Sequence, residues 1–200
     1  MFRKCAIRFD GCQRSTLAAS TKGWLCLAGG PSLRLFSAFS MLVLASATAA
    51  YAGAVEDCNQ VRDLSRQLRG CTAYIQSQPD QPANLATAFF NRANIYARRA
   101  RYDKAFADYK RAVELDPSNP LIHYNMGNAY LDRGELAQAA EAFTRAVNLD
   151  SGFALAYFNR GIARRRLGDS AGADQDFRRT LELDPKAEHA RQQLGAFPTQ

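Results

Sequence analysis

The chain has 200 residues, 26 Lys/Arg against 19 Asp/Glu, and five cysteines. Six of the basic residues, one acid, the only tryptophan (Trp24) and Cys5, Cys12 and Cys26 fall in residues 1–52, which leaves 20 Lys/Arg against 18 Asp/Glu, a net +2, in residues 53–200. A nucleic-acid binder needs a basic face in its folded domain, and this near-neutral remainder gives that class little support; its length is one domain's worth, enough for a real core.

The first element is a leader. The run "LRLFSAFSMLVLASATAAYAGA" sets an apolar core, Leu35 to Ala45, behind Arg34 and ends in small residues reading A-x-A at Ala50-Tyr51-Ala52, which is signal-peptide anatomy. The core is shorter than the roughly 20 apolar residues of a membrane span. Cleavage before Gly53 and a periplasmic or secreted domain are therefore expected, with an uncleaved inner-membrane anchor facing the periplasm as the alternative. The stretch before the apolar core is long for a signal peptide, so residues 1–30 are either an extended leader or upstream of the true start. No cysteine follows the A-x-A, which argues against lipidation.

Residues 53–85 follow, with "EDCNQVRDLSRQLRGCTAYIQSQPDQP" reading as a helical pair: Asp57 is the expected first cap, Gly70 lies in the junction region, and Cys58 and Cys71 are the remaining cysteines.

From residue 86 the sequence matches itself at a spacing of 34. "FFNRANIYARRARYDKAFADYKRAVELDPSN" aligns with "HYNMGNAYLDRGELAQAAEAFTRAVNLDSGF" and "YFNRGIARRRLGDSAGADQDFRRTLELDPKA". Small residues recur at Ala93, Gly127, Gly161 and Gly195, alanines at Ala105, Ala139 and Ala173, and aromatics at Tyr109, Phe143 and Phe177. A small residue on one helix lets a second approach closely, and an aromatic one turn beyond the alanine fills the next gap. Pro117 and Pro185 are read as ending the second helices. Residues 188–195 form one further short helix covering the last apolar face.

Gly168-Asp169-Ser170-Ala171-Gly172 formally matches the G-x-S-x-G hydrolase pattern. It falls where Gly134-Glu135-Leu136 and Ala100-Arg101-Tyr102 fall, between the two helices of a repeat, with no strand before it, so Ser170 reads as a turn residue. His123 and His189 are the only histidines, and no H-E-x-x-H, P-loop, Rossmann glycine run or zinc-spaced cysteine pair occurs in residues 53–200. No enzyme, catalytic residue, metal or cofactor is expected.

This pattern resembles the tetratricopeptide repeat family, whose helix-turn-helix units stack into a right-handed superhelix, and the leader points to an exported bacterial member. The resemblance implies an all-α solenoid: a leader (1–52), a degenerate leading hairpin (53–85), repeats at 86–119, 120–153 and 154–187, and a capping helix and tail (188–200). Ser151 and Thr180 depart mildly from the closing proline and the alanine of the other repeats. In the leading hairpin Cys71 and Ile75 map by the same spacing onto Ala105 and Tyr109, and Cys58 onto the residue before the small site of the first helix. Those sites face each other in the family's hairpin, so the resemblance implies a Cys58–Cys71 disulfide, worth roughly 3 kcal/mol for such a loop; two buried free thiols are the alternative.

The family is a binding scaffold whose first helices line a concave groove, and this places Phe90, Tyr124 and Phe158 as an aromatic row beside Asn91, Asn125 and Asn159, with Asn94 and Asn128 one turn on. An amide donates to and accepts from peptide backbone together, so such a row holds an extended segment; in the alternative these asparagines stabilise helix contacts. Members that grip a partner's terminal carboxylate add Lys or Arg where this chain has Phe90, Leu155 and Asn159, so that full clamp is missing. Arg165 and Arg166 are either charge for the groove or cations suited to a helix C-terminus. The expected function is non-catalytic binding of a protein or peptide through the groove; the alternative is an assembly protein that self-associates through its ends or convex face.

Overall fold

The computed structural model describes residues 53–59, 63–77 and 81–195. The leader with its expected signal peptide and cleavage point, and the tail 196–200, lie outside the described residues. Within them the chain is helical throughout: 53–59 (α1), Leu64–Gln76 (α2), Pro82–Arg98 (α3), Tyr102–Leu115 (α4), Pro120–Arg133 (α5), Leu136–Leu149 (α6), Ala154–Arg166 (α7), Ser170–Leu183 (α8) and Glu188–Gly195 (α9). Helices α3 with α4, α5 with α6 and α7 with α8 form hairpins, and each second helix packs on the next first helix, ending with α8 against α9. This is the all-α solenoid that the 34-residue spacing requires.

The hairpins close where the small residue meets the aromatic. A Cβ added to Gly127 would stand 2.6 Å from Cε1 of Phe143, and one on Gly161 2.8 Å from Cε1 of Phe177. Only hydrogen fits, so the glycines set the interhelix distance and the fully buried rings fill it. A Cβ added at Gly195, the equivalent position of α9, meets nothing within 4 Å among the described residues.

Helix ends follow from local chemistry. Pro120 and Pro82 occupy first turns, where a missing N–H costs nothing. The Asn119 side chain accepts from Leu121 N, and Asp169 from Gly172 N. The second helices stop at Asp116, Asp150 and Asp184 whether or not proline follows. Asp150 Oδ1 accepts from Gly152 N at 2.9 Å and Asp184 Oδ1 from Lys186 N at 3.0 Å, an Asx turn that competes with the helix. The aspartate thus explains why α6 ends on schedule before Ser151, and Pro117 and Pro185 reinforce a stop already made.

The leading hairpin departs from the expected register. Asp57, expected as the first cap, lies inside α1 and accepts from Arg66 Nε at 2.7 Å; Asp63 caps α2, its side chain accepting from Ser65 N and Arg66 N. Gly70 sits within α2, where an added Cβ would be 2.5 Å from Asp57 Cβ, so this glycine lets α1 cross α2. The buried aromatic is Tyr74, with Ile75 half-buried beside it. Helix α3 begins at Pro82, ahead of the repeat boundary at Ala86.

On the outer side, repeats one and three each bury an ion pair. Arg92 meets Asp108 through two bonds of 2.7 and 2.8 Å, and Arg160 meets Asp176 through two of 3.0 and 2.6 Å, with Arg164 adding a third at 2.9 Å. The corresponding residues of repeat two are Met126 and Ala142.

Two expectations follow. The turn positions Ala100, Gly134 and Gly168 all have positive φ, at 54, 86 and 89°, and alanine is disfavoured there; Ala100→Gly is expected to raise unfolding free energy by about 1 kcal/mol in urea titration. Asp176→Ala strips both arginines of their buried partner and is expected to cost about 3–5 kcal/mol in the same assay, with a loss below about 1 kcal/mol contradicting the pair's role.

Candidate functional site

Helix α3 touches α5, and α5 touches α7, whereas no comparable contact joins α4 to α6 or α6 to α8. The first helices therefore crowd the inner side of the stack while the second helices fan out, and the residues expected in the groove lie on the crowded side.

The aromatic row is shared with the core. Phe90, Tyr124 and Phe158 are half-buried, each tilted against the aromatic of its own second helix: Tyr109 at 6.4 Å, Phe143 at 5.9 Å and Phe177 at 5.6 Å between ring centroids. Tyr124 also packs 4.8 Å from Phe153. These rings brace the hairpins first and offer the inner surface only a remaining edge.

The amide row divides into spent and open members. Asn91 Nδ2 donates to the Cys58 carbonyl at 3.3 Å and to Asn59 Oδ1 at 3.4 Å, tying α3 to the leading hairpin. Asn159 Nδ2 donates to Asn128 Oδ1 at 2.8 Å and to the Tyr124 hydroxyl at 3.3 Å, closing a rung between repeats two and three. The equivalent rung between repeats one and two pairs Asn125 with Asn94, and there it stays open: Asn125 Nδ2 donates to the Leu121 carbonyl at 3.0 Å, and Asn94 Oδ1 accepts from the Tyr109 hydroxyl at 2.6 Å. Burial, with Asp132 nearby, pushes the Tyr109 phenol up, so it remains a donor across the physiological range.

Around the open rung is a hollow of about 340 Å³ lined by Asn94, Arg98, Asn125, Asn128 and Asp132. Arg98 and Asp132 are exposed and form no salt bridge among the described residues. They occupy the same repeat position as Arg166, and that spacing of 34 is the signal by which the sequence marks them. Opposite charges beside amides that each keep donor and acceptor capacity beyond their one bond suit a peptide backbone and its side chains.

The two C-terminal arginines separate. Arg165 Nη1 donates to the Gln193 carbonyl at 2.6 Å, its guanidinium lies 4.8 Å from the Phe177 ring centroid, and it pairs with Asp174, so it fastens α9 onto the last repeat. Arg166 is exposed in the last turn of α7. Ser170 is the exposed first residue of α8, beside the capping Asp169, with no strand ahead of it among the described residues. No group of three or more His, Cys, Asp or Glu that could hold a metal occurs among the described residues.

Cys58 and Cys71 form a disulfide with Cα atoms 4.4 Å apart, both side chains buried against Tyr74 and Ala88. Replacing both with alanine is expected to lower the hydrogen-exchange protection of α2 by about 3 kcal/mol while α5–α8 keep theirs, because a solenoid couples mainly between neighbours. Equal protection in the two proteins would contradict that role.

The comparisons agree with this architecture. Residues 93–132 and 127–168 match a family described as TPR repeat, and residues 154–187 match tetratricopeptide repeat. Among solved structures, the first TPR of Spaghetti (RPAP3) bound to HSP90 peptide SRMEEVD is 31% identical, with 57% of this chain and 90% of that one covered and a TM-score of 0.55. The second TPR domain of human RPAP3, in complex with HSP70 peptide SGPTIEEVD, is 31% identical over 58% of this chain and 97% of that one, with a TM-score of 0.55. MamA protein shares the fold, with 21% identity, 74% and 79% coverage and a TM-score of 0.65. No curated protein matches the chain in sequence. With its hairpins, its repeat spacing and these matches in agreement, the chain belongs to the tetratricopeptide repeat family.

Proposed function

We propose that the chain is an exported, non-catalytic scaffold that binds a protein or peptide segment along its first helices, with the open rung between α3 and α5 as the contact centre. The observation that carries this reading is the contrast between rungs: Asn159 donates to Asn128, whereas Asn94 and Asn125 line one hollow without bonding each other. Two amides held apart on rigid helices receive an extended backbone with little ordering cost.

The related RPAP3 domains hold peptides ending in acidic residues. Here Phe90, Leu155 and Asn159 stand where carboxylate-gripping members carry cations, so the segment bound is read internally through its backbone rather than by a terminal carboxylate. Export is supported by the Cys58–Cys71 disulfide, since such bonds persist in oxidising compartments. No helix among the described residues is long and apolar enough to cross a membrane.

Crosslinked capture from the exported fraction, with the full chain as bait, tests the reading. An Asn125→Ala/Asp132→Ala variant with unchanged circular dichroism is expected to lose the partner, and Asn148→Ala, exposed on α6, to retain it. Equal capture by all three would overturn the groove reading, and concentration-dependent self-association in light scattering would favour assembly through the ends or convex face.

A further inference from the structure

The outer side carries three equivalent slots, one per repeat, and the middle one is unfilled. In repeat one, Arg92 lies 5.5 Å from the centroid of Phe89 and Arg111 5.9 Å from the same ring, while Arg92 grips Asp108. In repeat three, Arg160 lies 5.2 Å and Arg179 5.9 Å from the Tyr157 centroid; Arg160 grips Asp176 and reaches Thr144 Oγ1 at 3.3 Å. Each of these slots holds an aromatic ring beneath an arginine and a carboxylate against another.

In repeat two the ring position reads His123, the Arg–Asp pair reads Met126 and Ala142, and of the two arginines only the second, Arg145, is kept. The six-membered ring is replaced by a smaller imidazole, and the carboxylate is lost together with the arginine that grips it. What remains is a hollow of about 440 Å³ between α4, α5 and α6, walled by the stacked Phe106 and Tyr130 (4.1 Å between centroids, 19° between planes), with Met126 and the cations Lys110 and Arg145 at its margin. Such a volume is in the range of small-molecule sites.

His123 stands where the sister slots hold their ring. It is only 5% exposed, it lines the hollow, and its Nδ1 is buried without a hydrogen-bond partner. A buried polar atom left unsatisfied is costly and needs an explanation. Burial, reinforced by Arg145, holds the imidazole below its ordinary pKa, so it is neutral at pH 7 and does not repel Arg145. Lys110 has no ion pair among the described residues, and Arg145 has only Glu141, an exposed helical neighbour at 2.6 Å, a kind of pair that contributes little.

We propose that this slot binds a small aromatic carboxylate, whose ring lies against Phe106 and Tyr130 beneath Arg145 and whose carboxylate accepts from Lys110 and Arg145. Such a ligand occupies the space given up by the Arg–Asp pair of the sister slots and brings a carboxylate to Lys110 and Arg145. The site lies on the opposite side of the stack from the open amide rung and stands independently of that reading.

The probe is 2-naphthoate, titrated calorimetrically into the full chain, with 2-naphthamide as its neutral counterpart. The expected result is saturable one-to-one binding with Kd of about 1 mM or tighter, and affinity for the amide at least about ten-fold weaker, the cost of one good charged contact. His123→Phe places a ring in the slot as in the sister repeats; it is expected to abolish binding and to raise the thermal midpoint by roughly 2–4 °C. Lys110→Gln/Arg145→Gln, on the exposed margin, is expected to weaken naphthoate about ten-fold with unchanged circular dichroism, and Asn125→Ala to leave it unchanged. No saturable binding by the native chain, equal affinity for acid and amide, or binding that survives both His123→Phe and the double margin variant would each overturn the assignment.

Discussion

The fold depends on a contact that repeats with the sequence: an aromatic ring of the second helix lying over a position of the first helix where there is no room for a side chain. At Gly127 and Gly161 a Cβ would stand under 3 Å from the opposing Phe143 or Phe177 ring. Once the ring fixes that distance, the left-handed residue at the turn fixes the angle, and the second helix is delivered to the next repeat at the same pose. The first helices then come into mutual contact, α3 with α5 and α5 with α7, which is what places a row of amides along one side. Repeat one varies the contact: Ala93 faces a tyrosine, and its hydroxyl reaches Asn94. A packing residue thereby sets the state of a surface amide.

The ends of the stack meet a different requirement, since an end hairpin packs on one neighbour only. At the N-terminal end the answer is covalent, a disulfide between α1 and α2, assisted by the crossing at Gly70 and by Asn91 donating to the Cys58 carbonyl. At the C-terminal end it is ionic and aromatic, with Arg165 joining Gln193, Asp174 and the Phe177 face. Both devices draw on residues that a groove would otherwise use, so the surface open for a partner contracts toward the centre of the stack.

This contraction explains which features were legible in the sequence. The hairpins, the α9 cap and the turn at Ser170 follow from residues whose spacing is 34, and spacing survives without coordinates. The leading hairpin does not: its helices are held by Gly70 and the disulfide rather than by a glycine–aromatic pair, so subtracting 34 points to Ile75 where Tyr74 is buried, and Asp57, expected as the first cap, lies inside α1. Asparagine identity marks the amide row, but which members are spent depends on partners from other repeats, Asn128 for Asn159 and Cys58 for Asn91. Likewise His123 aligns with Phe89 and Tyr157 in the sequence, yet its meaning rests on the loss of the Arg–Asp pair at Met126 and Ala142, and those three positions become part of one slot only when the helices are assembled.

The two junctions between complete repeats are therefore unequal. Between repeats two and three, Asn159 reaches Asn128 on the inner side and Arg160 reaches Thr144 on the outer side. Between repeats one and two neither bond forms: the inner rung at Asn94 and Asn125 is open, and the outer slot at His123 is unfilled. That junction is held chiefly by apolar contact, the Phe106–Tyr130 stack and the cluster around Ile122 and Ala129, which is strong but leaves Asn94 and Asn125 bonded only within their own repeats and His123 Nδ1 without a partner. Helix α5 is the wall common to both openings, presenting Asn125 and Asn128 inward and His123, Met126 and Tyr130 outward. A middle repeat tolerates this because complete repeats buttress it on both sides, so the place where the solenoid has most packing support is also the place where its polar chemistry is left free for other molecules.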